Sequence, residues 1–110
     1  MLIASRQLTL HVGNEDVRIP IRIFSPTQEG HSWSCRYEVD WPGEKWSMTA
    51  HGVDAIQAIV CAFQMIGSEL YSSDYHKSGR LIWESAQHGY GFPVSPAIRD
   101  LLKGDDAKYF

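Results

Sequence analysis

The stretch from Gly52 to Tyr71 constrains the fold most, because it reads as one long helix with a broad apolar face. Asp54 can cap the first free amides, and Gln57, three residues on, can reach back to complete a capping box, so the helix is predicted to begin at Asp54. Ile56, Ile59, Phe63, Ile66 and Leu70 recur at helical spacing, and Val60, Ala62 and Met65 widen the stripe. Only a narrow strip through Gln57, Gln64 and Ser68 stays polar, so such a helix needs a wide apolar surface to lie on. It reads as core, not as a cofactor box or membrane segment. Gly67 costs about 1 kcal/mol against alanine in a helix interior, which predicts that a backbone or a large aromatic comes close to the helix there.

The apolar surface is found upstream. Gln7 to Val12 alternate polar and apolar, and Val17 to Ile23 do so with a β-branched residue in every apolar slot. Gly13 to Asp16 form a short turn-forming link, so these two strands make an antiparallel hairpin. Pro20 cannot donate to a ladder and predicts an edge or a bulge. Ser25 to Gly30 reads as a loop. A third strand then places Trp33, Cys35, Tyr37 and Val39 on one face and Ser34, Arg36, Glu38 and Asp40 on the other. Trp41-Pro42-Gly43-Glu44 suits a type II turn, after which Trp46, Met48 and Ala50 alternate with Lys45, Ser47 and Thr49.

The predicted fold is therefore α+β in two layers: a four-stranded antiparallel sheet over residues 7–50, packed on one face by the long helix. The other face collects Thr9, His11, Arg18, Arg22, Ser34, Arg36, Glu38, Asp40, Lys45, Ser47 and Thr49 and reads as solvated, its charges pairing across strands for about 0.2–1 kcal/mol each. Trp33, Tyr37 and Trp46 fall on the inner face, whereas an RNA-binding sheet stacks bases on outward aromatics. Beyond the helix, which is expected to fray at Ser72 to Asp74, Tyr75 to Gly79 reads as a loop and Arg80 to Glu84 as a fifth, short strand. Ser95 and Pro96 open a short helix carrying Ala97, Ile98, Leu101 and Leu102 on one face, with Gly104 as its stop. Residues 1–104 form the single domain and residues 105–110 a flexible tail.

Composition narrows the function classes. A chain of 110 residues makes one domain, and 44% apolar residues with four tryptophans argue against disorder. The net charge of -3 gives no general attraction to nucleic acid. No run is long enough to span a membrane, and the N-terminus lacks a signal-peptide pattern, so a cytoplasmic protein is expected. Cys35 and Cys61 read as reduced core thiols, and His11, His31, His51, His76 and His88 are scattered singly, so neither a metal nor a cofactor is expected. Gly89-Tyr90-Gly91 lacks the lysine and the strand-to-helix setting of a phosphate loop.

Two places remain for recognition. Ser85 to Val94 holds Tyr90 and Phe92 between glycines and a proline, a restricted aromatic loop that, with Trp83 and Arg80, offers contact area at small entropic cost. In the competing reading, Phe92 and Trp83 plug the open end of the core. His51, at the strand-to-helix junction, lies where helix amides can meet an anion; its bland reading is an exposed loop histidine, with Asp54 as a simple cap.

The segments Gly52-Val53-Asp54-Ala55-Ile56-Gln57-Ala58, Ile66-Gly67-Ser68-Glu69-Leu70, Gly79-Arg80-Leu81-Ile82-Trp83 and Gly91-Phe92-Pro93 carry a resemblance, from about Ser5 to Val94, to a family of small uncharacterised bacterial proteins catalogued as a domain of unknown function. The resemblance implies a bacterial, cytoplasmic setting and brings no activity, cofactor or catalytic residue. In architecture alone the chain looks similar to immunity proteins, which bind toxins. The leading expectation is a noncatalytic protein-binding or regulatory module, with a protein partner or a homodimer. The alternatives are a binder of a small anionic ligand near His51, Arg80 and the Tyr90 loop, and a hydrolytic enzyme.

Overall fold

The computed structural model describes all 110 residues. In chain order the elements are β1 (Leu2–Val12), β2 (Glu15–Phe24), β3 (Thr27–Glu29), β4 (Ser32–Trp41), β5 (Glu44–Gly52), α1 (Ala55–Ser72), α2 (Asp74–Lys77), β6 (Leu81–Ile82), a 3-10 segment (Pro96–Leu101) and α3 (Gly104–Tyr109).

Both predicted hairpins form. β1 pairs antiparallel with β2, with Val12 opposite Glu15, and β4 pairs antiparallel with β5 around Pro42-Gly43. Gly43 has φ 73, the left-handed position that a type II turn requires. β4 has β5 along one edge, while β2 and β3 share the other. The β2–β4 ladder covers only Ile21–Ile23 and begins at the residue after Pro20. Beyond β2 come β1 and then β6, which meets β1 only at Thr9 and Leu10.

The sheet thus has six strands, more than the four or five expected. β1 reaches back to Leu2, and β3 lies inside the stretch predicted as a loop. Thr27-Gln28-Glu29 is exposed throughout and carries no apolar alternation, so only backbone pairing reveals it. On the outer face Ser34 and Glu38 are buried, not solvated as expected. Ser34 Oγ donates to Glu29 Oε1 at 3.0 Å, and Glu38 is enclosed by Arg36 at 2.8 Å, Arg22 at 3.4 Å and Lys45 at 3.5 Å. Burial pushes the Glu38 carboxyl up, but the hydrogen bonds and charges of Arg36 and Lys45 outweigh it and leave it below the ordinary value.

The cap of α1 is as predicted. Asp54 accepts the Gln57 N–H at 2.8 Å, and the Gln57 side chain accepts the Val53 N–H at 2.7 Å, one residue earlier than in a standard capping box. The buried face matches the predicted one at Ala62, Ile66 and Leu70 and is turned from it elsewhere. It consists of Ala58, Ala62, Ile66, Gly67, Leu70 and Tyr71, whereas Ile56 and Val60 are exposed and Phe63 is half-buried. Small side chains at 58, 62 and 67 let the helix backbone approach the layer beneath it, an advantage invisible to a reading weighted by bulk. At Gly67 a Cβ would overlap the carbonyl oxygen of Pro93, so the close backbone predicted there is present.

Helix α1 lies mainly over β4 and β5. The inner residues Leu8, Leu10, Ile19 and Ile21 of β1 and β2 belong to the same core as Leu81, Tyr90, Phe92 and Val94, so the chain after β6 completes the layer that the helix only half provides. The C-terminal segment also departs from expectation. Pro96–Leu101 is a 3-10 segment kinked at Ile98, and Gly104 opens α3 instead of closing a helix. Residues 105–110, expected as a loose tail, are largely helical and contain Asp106, which is only 2% exposed.

These positions predict a contrast in denaturant melts. Ile66→Ala should cost about 2–5 kcal/mol and Ile56→Ala less than about 0.5 kcal/mol. Gly67→Ala should destabilise although helix propensity alone favours alanine by about 1 kcal/mol; a stabilised variant would show that Pro93 does not press on the helix.

Candidate functional site

The densest polar constellation is internal, centred on Asp106. Asp106 Oδ2 accepts from the Tyr71 hydroxyl at 2.7 Å and the Tyr90 N–H at 2.8 Å, and Oδ1 accepts the Gly91 N–H at 2.9 Å. One short helix from the end of the chain therefore grips both the last turn of α1 and the aromatic loop. Gly89 permits this approach, because a Cβ there would run into the Asp106 carboxylate. The Tyr71 and Tyr90 rings lie 4.9 Å apart, and the Tyr90 hydroxyl meets His76 Nδ1 at 2.5 Å.

Arg6 holds the same loop from the other side. It sits in an inward slot of β1, in line with Leu8 and Leu10, and its Nη1 donates to the carbonyls of Tyr90 at 3.0 Å and Gly91 at 3.1 Å. Its guanidinium stacks 4.0 Å from the Trp83 ring centre and 4.9 Å from that of Phe92. Burial lowers Arg6 from its ordinary value, opposed by the charges of Asp106 and then Glu84. Burial, followed by the bond to Asp106, pushes the Tyr71 hydroxyl up, and burial followed by the Asp106 charge does so for Tyr90. Burial and then Lys103 lower His76. This network's charge-assisted bonds fasten the loop and α3 to the last turn of α1 and to β1.

The surface offers four hollows. A groove of about 690 Å³ runs between α1 and β5, lined by Tyr37, Trp46, Met48, His51, Cys61 and Glu69 among others. Glu69 Oε1 accepts the Trp41 indole N–H at 3.1 Å, while the buried Trp46 Nε1 makes no well-formed hydrogen bond and has the Tyr37 hydroxyl beside it. The second hollow, beside Arg6, is an apolar slot of about 140 Å³ walled by Ile21, Ile23, Phe63, Ile66 and Phe92. It adjoins a further hollow that reaches Val60, Pro93 and Phe110.

The sequence-predicted site residues do not converge. Tyr90 is fully buried and Phe92 nearly so, which makes them a core plug and not a presented aromatic surface. Trp83 is half-buried under Arg6, and Arg80 is exposed, its Nε donating to Ser78 Oγ. His51 lies on β5 and Arg80 beside β6, at opposite edges of the sheet. Four strand spacings, roughly 19 Å, separate these strands, too far for one small anion. No three His, Cys, Asp or Glu side chains gather as a metal site. The sequence reading missed Asp106, Tyr71 and Arg6. Arg6 was detectable, since a charge in the inward register of a strand needs a buried partner.

With this geometry in place, the class is clear: an α+β domain of one antiparallel sheet, a long covering helix and a clasped aromatic loop. The chain belongs to the family described as domain of unknown function DUF6968, whose model matches residues 4–94. The match covers the loop that Asp106 grips and stops short of Asp106 itself. No curated protein and no solved structure matches the chain.

Asp106→Ala should leave three donors without an acceptor and destabilise by about 3 kcal/mol or more, measured by denaturant unfolding. Alkaline stability follows from the tyrosines. Folded Tyr71 and Tyr90 keep their protons above the ordinary value of about 10, so the stability they contribute is complete below about pH 10 and falls as pH rises above it, by about 1.4 kcal/mol per pH unit for each tyrosine. Tyr71→Phe should make this fall shallower in melts between about pH 9 and pH 11, either side of the ordinary tyrosine value.

Proposed function

We propose that the protein is a noncatalytic interaction module of bacterial cytoplasm that binds a protein partner through the exposed face of α1. One observation carries this reading: Val53, Ile56, Val60 and Phe63 follow one another at intervals of three or four residues, and Val53 and Ile56 are 75% and 73% exposed. Val53, Ile56 and Val60 cost solubility and stand outside the core, which uses Ala58, Ala62, Ile66 and Leu70 instead, while half-buried Phe63 joins the stripe to that core. The helix is already ordered by its cap and its packing, so a partner docking on it loses little entropy. Phe110, 42% exposed, and the hollow beside Val60 extend the apolar area, which suits an amphipathic helix or apolar ridge of the partner.

The test uses the wild type and the Ile56→Glu and Val60→Glu variants as baits in lysate of the source cell, with mass spectrometry of captured proteins. Both variants should melt within about 0.5 kcal/mol of wild type and lose the partner that the wild type retains. Equal capture by well-folded variants would reject the helix face as the binding surface.

A further inference from the structure

The inward side of β1 changes character along its length. Leu10 and Leu8 are fully buried, Arg6 is half-buried, and Ala4, next in the same register, is too short to reach the layer above it. The ladder to β2 is regular from Ala4 onward, with Ala4 opposite Ile23 and Arg6 opposite Ile21. Over this end of the hairpin the covering layer consists of Phe63 and Ile66 from α1 and Phe92 from the aromatic loop, and together they leave the apolar slot of about 140 Å³. Ile21, Ile23, Ile66 and Phe92 are each at most 6% exposed, whereas Ala4 is exposed and marks the rim.

Arg6, Phe63 and Phe92 border both this slot and the neighbouring hollow, so they stand where the two meet. Arg6 Nη1 donates to the Tyr90 and Gly91 carbonyls, while Nε and Nη2 have no protein acceptor. Neither of these nitrogens is sealed from solvent, in contrast to Trp46 Nε1. Asp106 and Glu84 act on Arg6 through charge, without a hydrogen bond, and desolvation outweighs both. The Asp106 oxygens are held instead by the Tyr71 hydroxyl and the Tyr90 and Gly91 amides. Stacking on Trp83 and the bonds to the loop carbonyls fix the guanidinium in place, so its free donors are ordered before any ligand arrives. A desolvated, undercompensated guanidinium at the mouth of an apolar slot is complementary to a molecule that carries one carboxylate and one apolar group.

We propose that the protein binds a small aryl carboxylic acid here, with the carboxylate on Nε and Nη2 of Arg6 and the ring in the slot between Ile23, Phe63, Ile66 and Phe92. The size of the slot selects the apolar group. An apolar cavity of about 150 Å³ lined by Leu, Ile and Phe holds one benzene ring, and the slot has nearly that volume and the same kind of lining. The guanidinium selects the acid, because its planar edge meets a carboxylate through a parallel pair of hydrogen bonds. Each half of the ligand answers one half of the site: a carboxylate alone leaves the slot unfilled, and an apolar molecule alone leaves the free donors of Arg6 unmet. The site shares only Phe63 with the α1 stripe and holds whether or not that stripe binds a partner.

Titration of the isotope-labelled full chain with phenylacetate, followed by amide NMR shifts, is the test. The amides of Ala4, Arg6, Phe63 and Ile66 should shift together and saturate with a Kd of about 1 mM or tighter. Phenylacetamide keeps the ring and loses the charge, acetate does the reverse, and each should bind at least about tenfold more weakly. Ala4→Phe fills the slot from an exposed position outside the core, so it should weaken phenylacetate binding by about tenfold or more while melting as the wild type does. Ile56→Glu should leave the affinity unchanged. Shifts that do not saturate below about 10 mM, equal affinity for phenylacetate and phenylacetamide, undiminished binding by Ala4→Phe, or binding lost in Ile56→Glu would each overturn the proposal, and the comparison of analogues needs no variant to fold.

Discussion

A single buried carboxylate holds the second half of this fold in place. Asp106 is nearly inaccessible, and removing an ionised carboxylate from water costs several kcal/mol unless hydrogen bonds replace the lost hydration. Here the Tyr71 hydroxyl and the Tyr90 and Gly91 amides do so. Hydrogen bonds to a charged group contribute roughly 1.5–3 kcal/mol each, enough to offset the desolvation and leave a net fastening. The geometry imposes its own demands: Gly89 must lack a side chain beside the carboxylate, and Gly91, at φ 77, lies against Arg6 and Trp83.

That fastening explains the division of labour across the inner face of the sheet. Helix α1, with its small buried residues, sits close over β4 and β5, and β1 and β2 need another cover. Tyr90, Phe92 and Val94 provide it, but a loop with so many backbone polar groups needs each of them satisfied before it can enter a core. Asp106 accepts the loop's amides and Arg6 donates to its carbonyls, so the loop is satisfied from both sides. The apolar side chains left outside, Ile56 and Val60 of α1 and Val53 just before it, follow from the same arrangement: the helix is turned so that Ala58 and Ala62, with Ile66, Leu70 and Tyr71, face inward.

Alternation and turn chemistry made both hairpins and the helix cap legible from the residues alone, because each depends on neighbours in sequence, and a glycine inside a helix marked the close approach at Gly67 without naming Pro93. What escaped depends on distant partners. β3 is a strand only because β4 passes beside it. The true face of α1 follows from how near its backbone comes to the sheet, which favours Ala58 and Ala62 over Ile56 and Val60. Residues 105–110 have no apolar pattern and looked like a tail, since their anchor is one polar side chain reaching groups at least fifteen residues away. The candidate site residues are dispersed for a related reason: Tyr90 and Phe92 lie in a restricted loop, but the loop turns inward, and His51 and Arg80 end on opposite edges of the sheet.

The clasp keeps the aromatic loop in the core beneath the sheet. Amide hydrogen exchange at Tyr90 and Gly91 tests this most directly. With Asp106 holding both amides, they should exchange as slowly as core amides of β2 such as Ile19, opening only when the whole domain unfolds. Exchange at Tyr90 and Gly91 as fast as at the exposed turn residue His31 would contradict the account, because the loop would then open without the rest of the domain.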